Sequence, residues 1–161
     1  MIIRPATVED VPAVLPMVRK IAAFHENLDP GKYGYRDDPG EMYRNWLSGK
    51  PADVRSVFLV ADARARADVS PHIVGFLIGT MEAEIPIYRL KEFGFIHDLW
   101  VEEEYRHEGV ARQLVLLALE RFTQMGAKQV RLDVLVDNDP ASKLFQTCGF
   151  RPTVTEMLME L

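Results

Sequence analysis

At 161 residues and 48% apolar content, the chain is long enough for one domain with a full core and leaves little room for a second. A formal charge of −5 argues against a protein that wraps nucleic acid, which needs a basic face, and the acidic clusters suit a cationic partner better. The lone cysteine, Cys148, excludes an internal disulfide and fits a reducing compartment, while no signal-peptide core or membrane-length apolar run is present, so a soluble, cytoplasmic protein with no membrane partner is expected.

In chain order, Met1 to Pro5 reads as an edge strand ended by its proline. Thr7-Val8-Glu9-Asp10 then looks like a helix start, with Thr7 as cap and Asp10 three residues on. Val11, Val14, Leu15, Val18, Ile21 and Ala22 recur at helical spacing to about Glu26. Pro12 fits the first turn, whereas Pro16 predicts a bend or a later start. Asn27 to Asp38 is a turn-rich loop carrying Tyr33, Tyr35 and Arg36, of a length that in compact domains is often functional. A second helix is predicted over Pro39 to Leu47, with Met42, Trp46 and Leu47 on its apolar side.

Ser56 to Asp62 and Ile73 to Ala83 are apolar at nearly every position, as strands covered on both faces are. Gly75 and Gly79 mark a bulge or a close backbone approach. Phe95 to Val101 is the central strand, and Arg106 to Arg112 opens a long apolar helix to Met125, closed by Gly126. Lys128 to Val136 alternates as a strand that the helical crossover makes parallel to the central one. Asp137-Asn138-Asp139-Pro140 begins a last helix through Cys148, with Pro140 in its first turn, and Thr155 to Leu161 reads as a final strand with Met157, Met159 and Leu161 on one face. The order β-α-α-β-β-β-α-β-α-β describes a mixed sheet with helices on both sides.

The bend from Val101 into the third long helix carries the chemistry. A helix start leaves backbone N–H groups without intrahelical acceptors, and with the helix dipole these favour an anion there. Arg106 and Arg112 add full charge, and Gly109 and Ala111 carry too little side chain to hold a phosphate off. No His/Cys/Asp spacing suggests a metal site. His107 and Glu102 to Glu104 read as solvated side chains.

Arg106-x-x-Gly109-x-Ala111, preceded by Leu99-x-Val101 and Tyr105, and the later set Asn138, Ala141, Leu144, Phe145, Gly149 and Phe150 occur in order, separated by a helix and a strand. In this the chain resembles the GCN5-related N-acetyltransferase (GNAT) superfamily nearly end to end. The resemblance implies one α/β domain over residues 1–161, with a mixed, mostly antiparallel sheet whose strands splay at the cofactor. It implies transfer of acetyl from acetyl-CoA, without a metal, to a primary amine of a small molecule or peptide by direct attack. The diphosphate would sit on N–H groups from Arg106 through His107, Glu108, Gly109, Val110, Ala111 and Arg112. The pantetheine arm would pair with the backbone of Leu99, Trp100 and Val101 and meet Asn138, with Lys143 near the phosphates and Phe145 beside the arm.

For the base, alternation places His97 on the face of Leu99 and Val101, and Asp98 on the opposite face with Ile96 and Trp100. His97 is the first candidate, and a bulge that flips the parity would make it Asp98. The family's frequent tyrosine acid is replaced by Phe145, which cannot donate a proton. Tyr105 or a tyrosine of the first loop remains, or a thiolate that leaves without direct help. A catalytically weak acyl-CoA sensor is the alternative function this departure suggests. His25, Tyr33 and Tyr35 lie in the segment that walls the acceptor site in the family. Dimers are common there, and Met157 to Leu161 offers a strand for pairing across a two-fold axis as a homodimer.

Overall fold

The computed structural model describes residues 1–35, 38–64 and 70–161; Arg36 of the first loop and residues 65–69 between the second and third strands lie outside it. Strand β1 (Ile2–Pro5) lies antiparallel to β2 (Ser56–Asp62), with Arg4 opposite Val60. Arg4 donates to both oxygens of Asp10, at 2.7 and 2.8 Å, and to Asp62 Oδ2 at 3.1 Å. Asp10 also accepts from Thr7 N (2.8 Å), so one buried carboxylate starts the helical segment and ties it to the sheet.

Helix α1 (Val11–Leu28) runs unbroken through Pro16, whose ring sits on the exposed face. The helix therefore starts before Pro16, not after it, at the loss of one interior hydrogen bond. Helix α2 (Pro39–Ser48) is capped by Asp38, which accepts from Glu41 N at 3.1 Å and is held to α1 by Arg19 at 2.7 Å. Its inward side is Tyr43, Trp46 and Leu47. Met42, expected there, is 58% exposed, because the i, i+3, i+4 pattern runs from Tyr43.

Strands β2, β3 (Ile73–Ala83) and β4 (Glu92–Val101) pair antiparallel in sequence order, and β5 (Val130–Leu132) joins β4 in parallel. The mixed, mostly antiparallel sheet expected from the sequence is thus present. Phe58, Val60, Phe76 and Ile78 pack under α1 and α2. Val57, Leu59, Leu77 and Ile96 pack under α3 (Val110–Gln124) and, through Phe145, α4 (Asp139–Thr147).

Two elements differ from expectation. The last predicted strand is absent: residues 151–161 form no strand and are exposed throughout, with Met157 at 90% and Met159 at 83%. Alternation marks chain able to pair, but pairing needs an adjacent edge. Here the tail is instead held off the sheet, with Glu156 paired to Lys32, and a cleft of about 1110 Å³ separates it from β5. Strand β5 is also shorter than its alternating segment, since its pairing with β4 ends at Ile96 and Leu132.

The second difference is the register of β4. Ile78 faces Asp98 but Gly79 faces Ile96, so His97 is an extra residue on β4. Gly79 marks this bulge as its sequence suggested. A Cβ there would stand 2.6 Å from the Phe95 carbonyl and 2.8 Å from Phe122 Cζ. Phe122, fully buried on α3, also fills the space over Gly94, where an added Cβ would lie 2.6 Å from its ring. Phe122→Ala is expected to destabilise the protein by about 3–5 kcal/mol in urea unfolding, because the bulge region cannot collapse onto the void.

Candidate active site

Beyond Ile96 and Leu132 the parallel strands stop pairing, and residues 98–101 of β4 have no β5 partner among the described residues. The chain then makes a single 3-10 turn, Glu103–Tyr105, and passes through Arg106 in extended conformation, His107 at φ 64° and Gly109 at φ 79°. The two left-handed residues bend the chain twice within three positions just before the helix. Helix α3 begins at Val110, and its first backbone bond is from Gln113 N to Gly109 O at 3.0 Å. The N–H groups of Val110, Ala111 and Arg112 precede it, and no side chain caps this start. Gly109 is needed for its left-handed backbone, not for space, since an added Cβ would meet nothing nearer than Gln113 Nε2 at 4.0 Å.

Arg106 is committed to β4. Its Nε donates to Val101 O at 3.0 Å and its guanidinium lies over the Trp100 ring, 4.8 Å from the centroid. Glu102, read from sequence as solvated, is instead a tie between elements: it accepts from Lys20 of α1 at 2.7 and 2.8 Å and from Trp100 Nε1 at 3.2 Å. Asn138 caps α4, its Oδ1 accepting from Ala141 N at 3.2 Å. Phe145 packs in the core beneath α3, edge-on to Phe150 at 5.6 Å, and Lys143 is exposed.

The bulge corrects the expected parity of the base candidates. Leu99 and Val101 pack under α3 with Ile96, while Trp100 packs under α1 and α2. With His97 as the extra residue, both it and Asp98 turn to the α1/α2 side. The His97 ring stands edge-on to Trp46 at 5.3 Å, and the Asp98 carboxyl is turned to the Tyr43 hydroxyl. The two candidates therefore share one face instead of opposing each other.

Their environments differ. Asp98 Oδ2 is buried and has no hydrogen-bond partner among the described residues. Burial pushes the Asp98 pKa up to about 6, with the Tyr43 hydroxyl offsetting part of the rise. Burial also raises the Tyr43 and Tyr35 phenols, and the nearby Asp98 charge adds to both. Desolvation lowers the pKa of His97, Glu82 opposes it and Lys50 reinforces it, leaving a neutral ring near pH 7. Thr80 Oγ1 lies 2.6 Å from His97 Nε2.

His25, Tyr33 and Tyr35 do come together. His25 and Tyr33 have ring centroids 5.1 Å apart, Tyr33 and Tyr35 stack at 6.1 Å, and burial lowers the His25 pKa. Tyr43, Thr80 and Glu82 were not singled out from sequence. Tyr43 was legible in its helical spacing to Trp46 and Leu47, but Thr80 and Glu82 meet His97 only through the register of β3 on β4. Among the described residues no group of three or more His, Cys, Asp or Glu side chains is placed to hold a metal ion, and no helix is long and apolar enough to cross a membrane.

The "Acetyltransferase (GNAT) family" matches residues 21–150 of the chain. A mycothiol acetyltransferase of Corynebacterium aurimucosum is 33% identical over 109 residues, 68% of this chain and 33% of that protein. Human N-acetyltransferase 8 is 28% identical over 116 residues, 72% of this chain and 46% of its own length. The chain thus spans between a third and a half of the length of these relatives. A solved structure of a tetramutant of the BH1408 protein from Bacillus halodurans superposes over 100% of both chains with a TM-score of 0.83 at 20% identity, a likeness of fold. Motif order, the parting of β4 from β5 and the match across residues 21–150 agree: the chain belongs to the GNAT family of acetyltransferases.

Proposed function

We propose that this domain transfers the acetyl group of acetyl-CoA to a primary amine of a small molecule or peptide by direct attack. The observation that carries the reading is the gap between β4 and β5, with helix-start amides at one end and, on the neighbouring face, a carboxylate whose buried Oδ2 meets no partner among the described residues. The donor supplies an activated acetyl thioester. Val110, Ala111 and Arg112 N–H groups, at the bend made by His107 and Gly109, suit a diphosphate. The open backbone edge of residues 98–101 suits the amides of a pantetheine arm, as an added strand would.

On the other side of the sheet, Asp98 and His97 handle the acceptor's proton. A protonated amine entering between Tyr35, Tyr43 and Asp98 donates to Asp98 Oδ2 and gives up one proton to that carboxylate or to solvent. The neutral amine then attacks the thioester carbonyl, His97, neutral near pH 7, accepts the second proton, and the CoA sulfur leaves as thiolate. Phe145 has no proton to give. A first-loop tyrosine or Tyr43 is better placed on the acceptor face than Tyr105, which packs under α3. Thiol release from acetyl-CoA across a broad amine panel tests the reading; release no greater than background with every amine overturns it.

Gly109→Glu is expected to weaken CoA binding at least about 100-fold in titration calorimetry, by setting a carboxylate against the phosphates. Gly109→Ala carries only the left-handed backbone strain, about 1 kcal/mol of stability, and should keep most of the affinity. Wild-type affinity in the glutamate variant would move the diphosphate elsewhere.

Asp98 titrates in the folded protein near 6 against an ordinary value of 3.8, so the folded state holds the proton more tightly and stability falls as pH rises through that window. Asp98→Asn should therefore stabilise the protein by about 3 kcal/mol above the window and by nothing below it, while lowering turnover. Thermal melts across pH check the first part, and steady-state rates the second. His97→Ala should lower kcat about 100-fold with little change in the KM for acetyl-CoA.

A further inference from the structure

Beside His97, on the same face and toward β3, lies a chain of hydrogen-bonding groups that the family motifs do not include. Thr80, on β3, is buried, and its hydroxyl contacts both Glu82 Oε1 and His97 Nε2, the latter at 2.6 Å. Glu82 Oε1 itself stands 3.7 Å from His97 Nε2. An ionised carboxylate only accepts, and a threonine hydroxyl has one proton to give. Once that proton goes to Glu82, the Thr80 oxygen faces the ring with lone pairs alone, and the ring nitrogen opposite must be the one that carries hydrogen.

From this we infer that Thr80 and Glu82 are positioning residues that fix the neutral tautomer of His97, placing its proton on Nε2 and its basic lone pair on Nδ1. The role of this nitrogen in turnover rests on the proposed acetyl transfer; the tautomer does not. In the transfer, the acceptor nitrogen bonds to the acetyl carbonyl carbon, its N–H bond breaks as an Nδ1–H bond forms, and the thioester C–S bond breaks with its electron pair leaving on the CoA thiolate. The imidazolium keeps its Nε2–H on Thr80 and faces the Glu82 carboxylate. Every charged group around the ring enters this balance. Glu82 on β3 favours the imidazolium, and Lys50, from the turn after α2, opposes it. Lys50 is itself answered by Asp53 at 3.4 Å, and Arg55, lining the same cavity of about 270 Å³, by Glu92 at 2.8 Å. Asp98 follows His97 on its own strand. Trp46 and Phe95 close the ring's apolar sides, with centroids at 5.3 and 5.1 Å.

The test is histidine tautomer assignment by long-range proton–nitrogen NMR on nitrogen-15-labelled protein, above the pH at which His97 titrates, with steady-state kinetics on the same variants. The wild-type ring is expected to carry its proton on Nε2. Thr80→Val, close to threonine in volume, should give a mixture of tautomers and lower kcat about tenfold without changing the KM for acetyl-CoA, whereas Thr80→Ser should restore both. Glu82→Gln, which can donate as well as accept, should also mix the tautomers. With an anion removed, the imidazolium becomes less stable, so the acid limb of the pH–rate profile should move to lower pH. A wild-type proton on Nδ1, or a tautomer unaltered in Thr80→Val, overturns the inference. A protein that releases no thiol with any amine defeats the proposed transfer and leaves the NMR result to decide the tautomer.

Discussion

One extra residue in β4 governs the site. With His97 inserted opposite the junction of Ile78 and Gly79, the strand bends, and its pairing with β5 ends one residue earlier at Ile96. The bulge is held from the α3 side by Phe122, whose ring occupies the space that Gly79 and Gly94 leave by lacking a Cβ. Packing under one face of the sheet therefore fixes which side chains appear on the other. It also frees the β4 edge beside the start of α3, so that the gap and the helix-start amides lie at the same end of the strand.

Buried carboxylates in this molecule fall into two kinds. Asp62 is fully buried yet has its needs met: Arg4 at 3.1 Å, Arg64 Nε at 2.7 Å, and the backbone N–H groups of Arg64 and His72 at 3.1 and 3.2 Å. Although burial alone would raise its pKa, those partners hold it below the ordinary range. Asp98 is half-buried, its Oδ2 out of solvent with no partner among the described residues, and moves the other way. A scaffold carboxylate left in that state would be a defect. On the face that carries His97, Tyr35 and Tyr43, one of its oxygens meets no donor among the described residues.

The two ends of the gap thus have opposite polarity: backbone N–H groups toward one side, carboxylate and imidazole toward the other. Glu102 and Arg106 brace the strand between them. Glu102 joins Lys20 of α1 to the Trp100 indole, and Arg106 joins Val101 O to the same ring. Charge that sequence alone assigns to ligand or solvent is here spent on keeping β4 in place, which leaves main-chain groups at the start of α3.

Much of the fold was legible because it depends on local pattern. Helical spacing from Val11 to Ile21, the apolar runs of β2 and β3, the parallel return of β5 and the caps at Asn138 and Gly126 are each set by neighbours in sequence. The family motifs, being local too, located the α3 turn. What sequence by itself determined is therefore the element order, the sheet's mixed direction and the place of the bend that opens α3. Only the tertiary structure decided that His97 and Asp98 share a face, that Thr80 and Glu82 stand beside His97, and that residues 151–161 stay unpaired. Each of these depends on register between segments far apart in the chain. A shift of one residue in that register reverses every side chain beyond it, and alternation within a strand carries no record of where its neighbour begins.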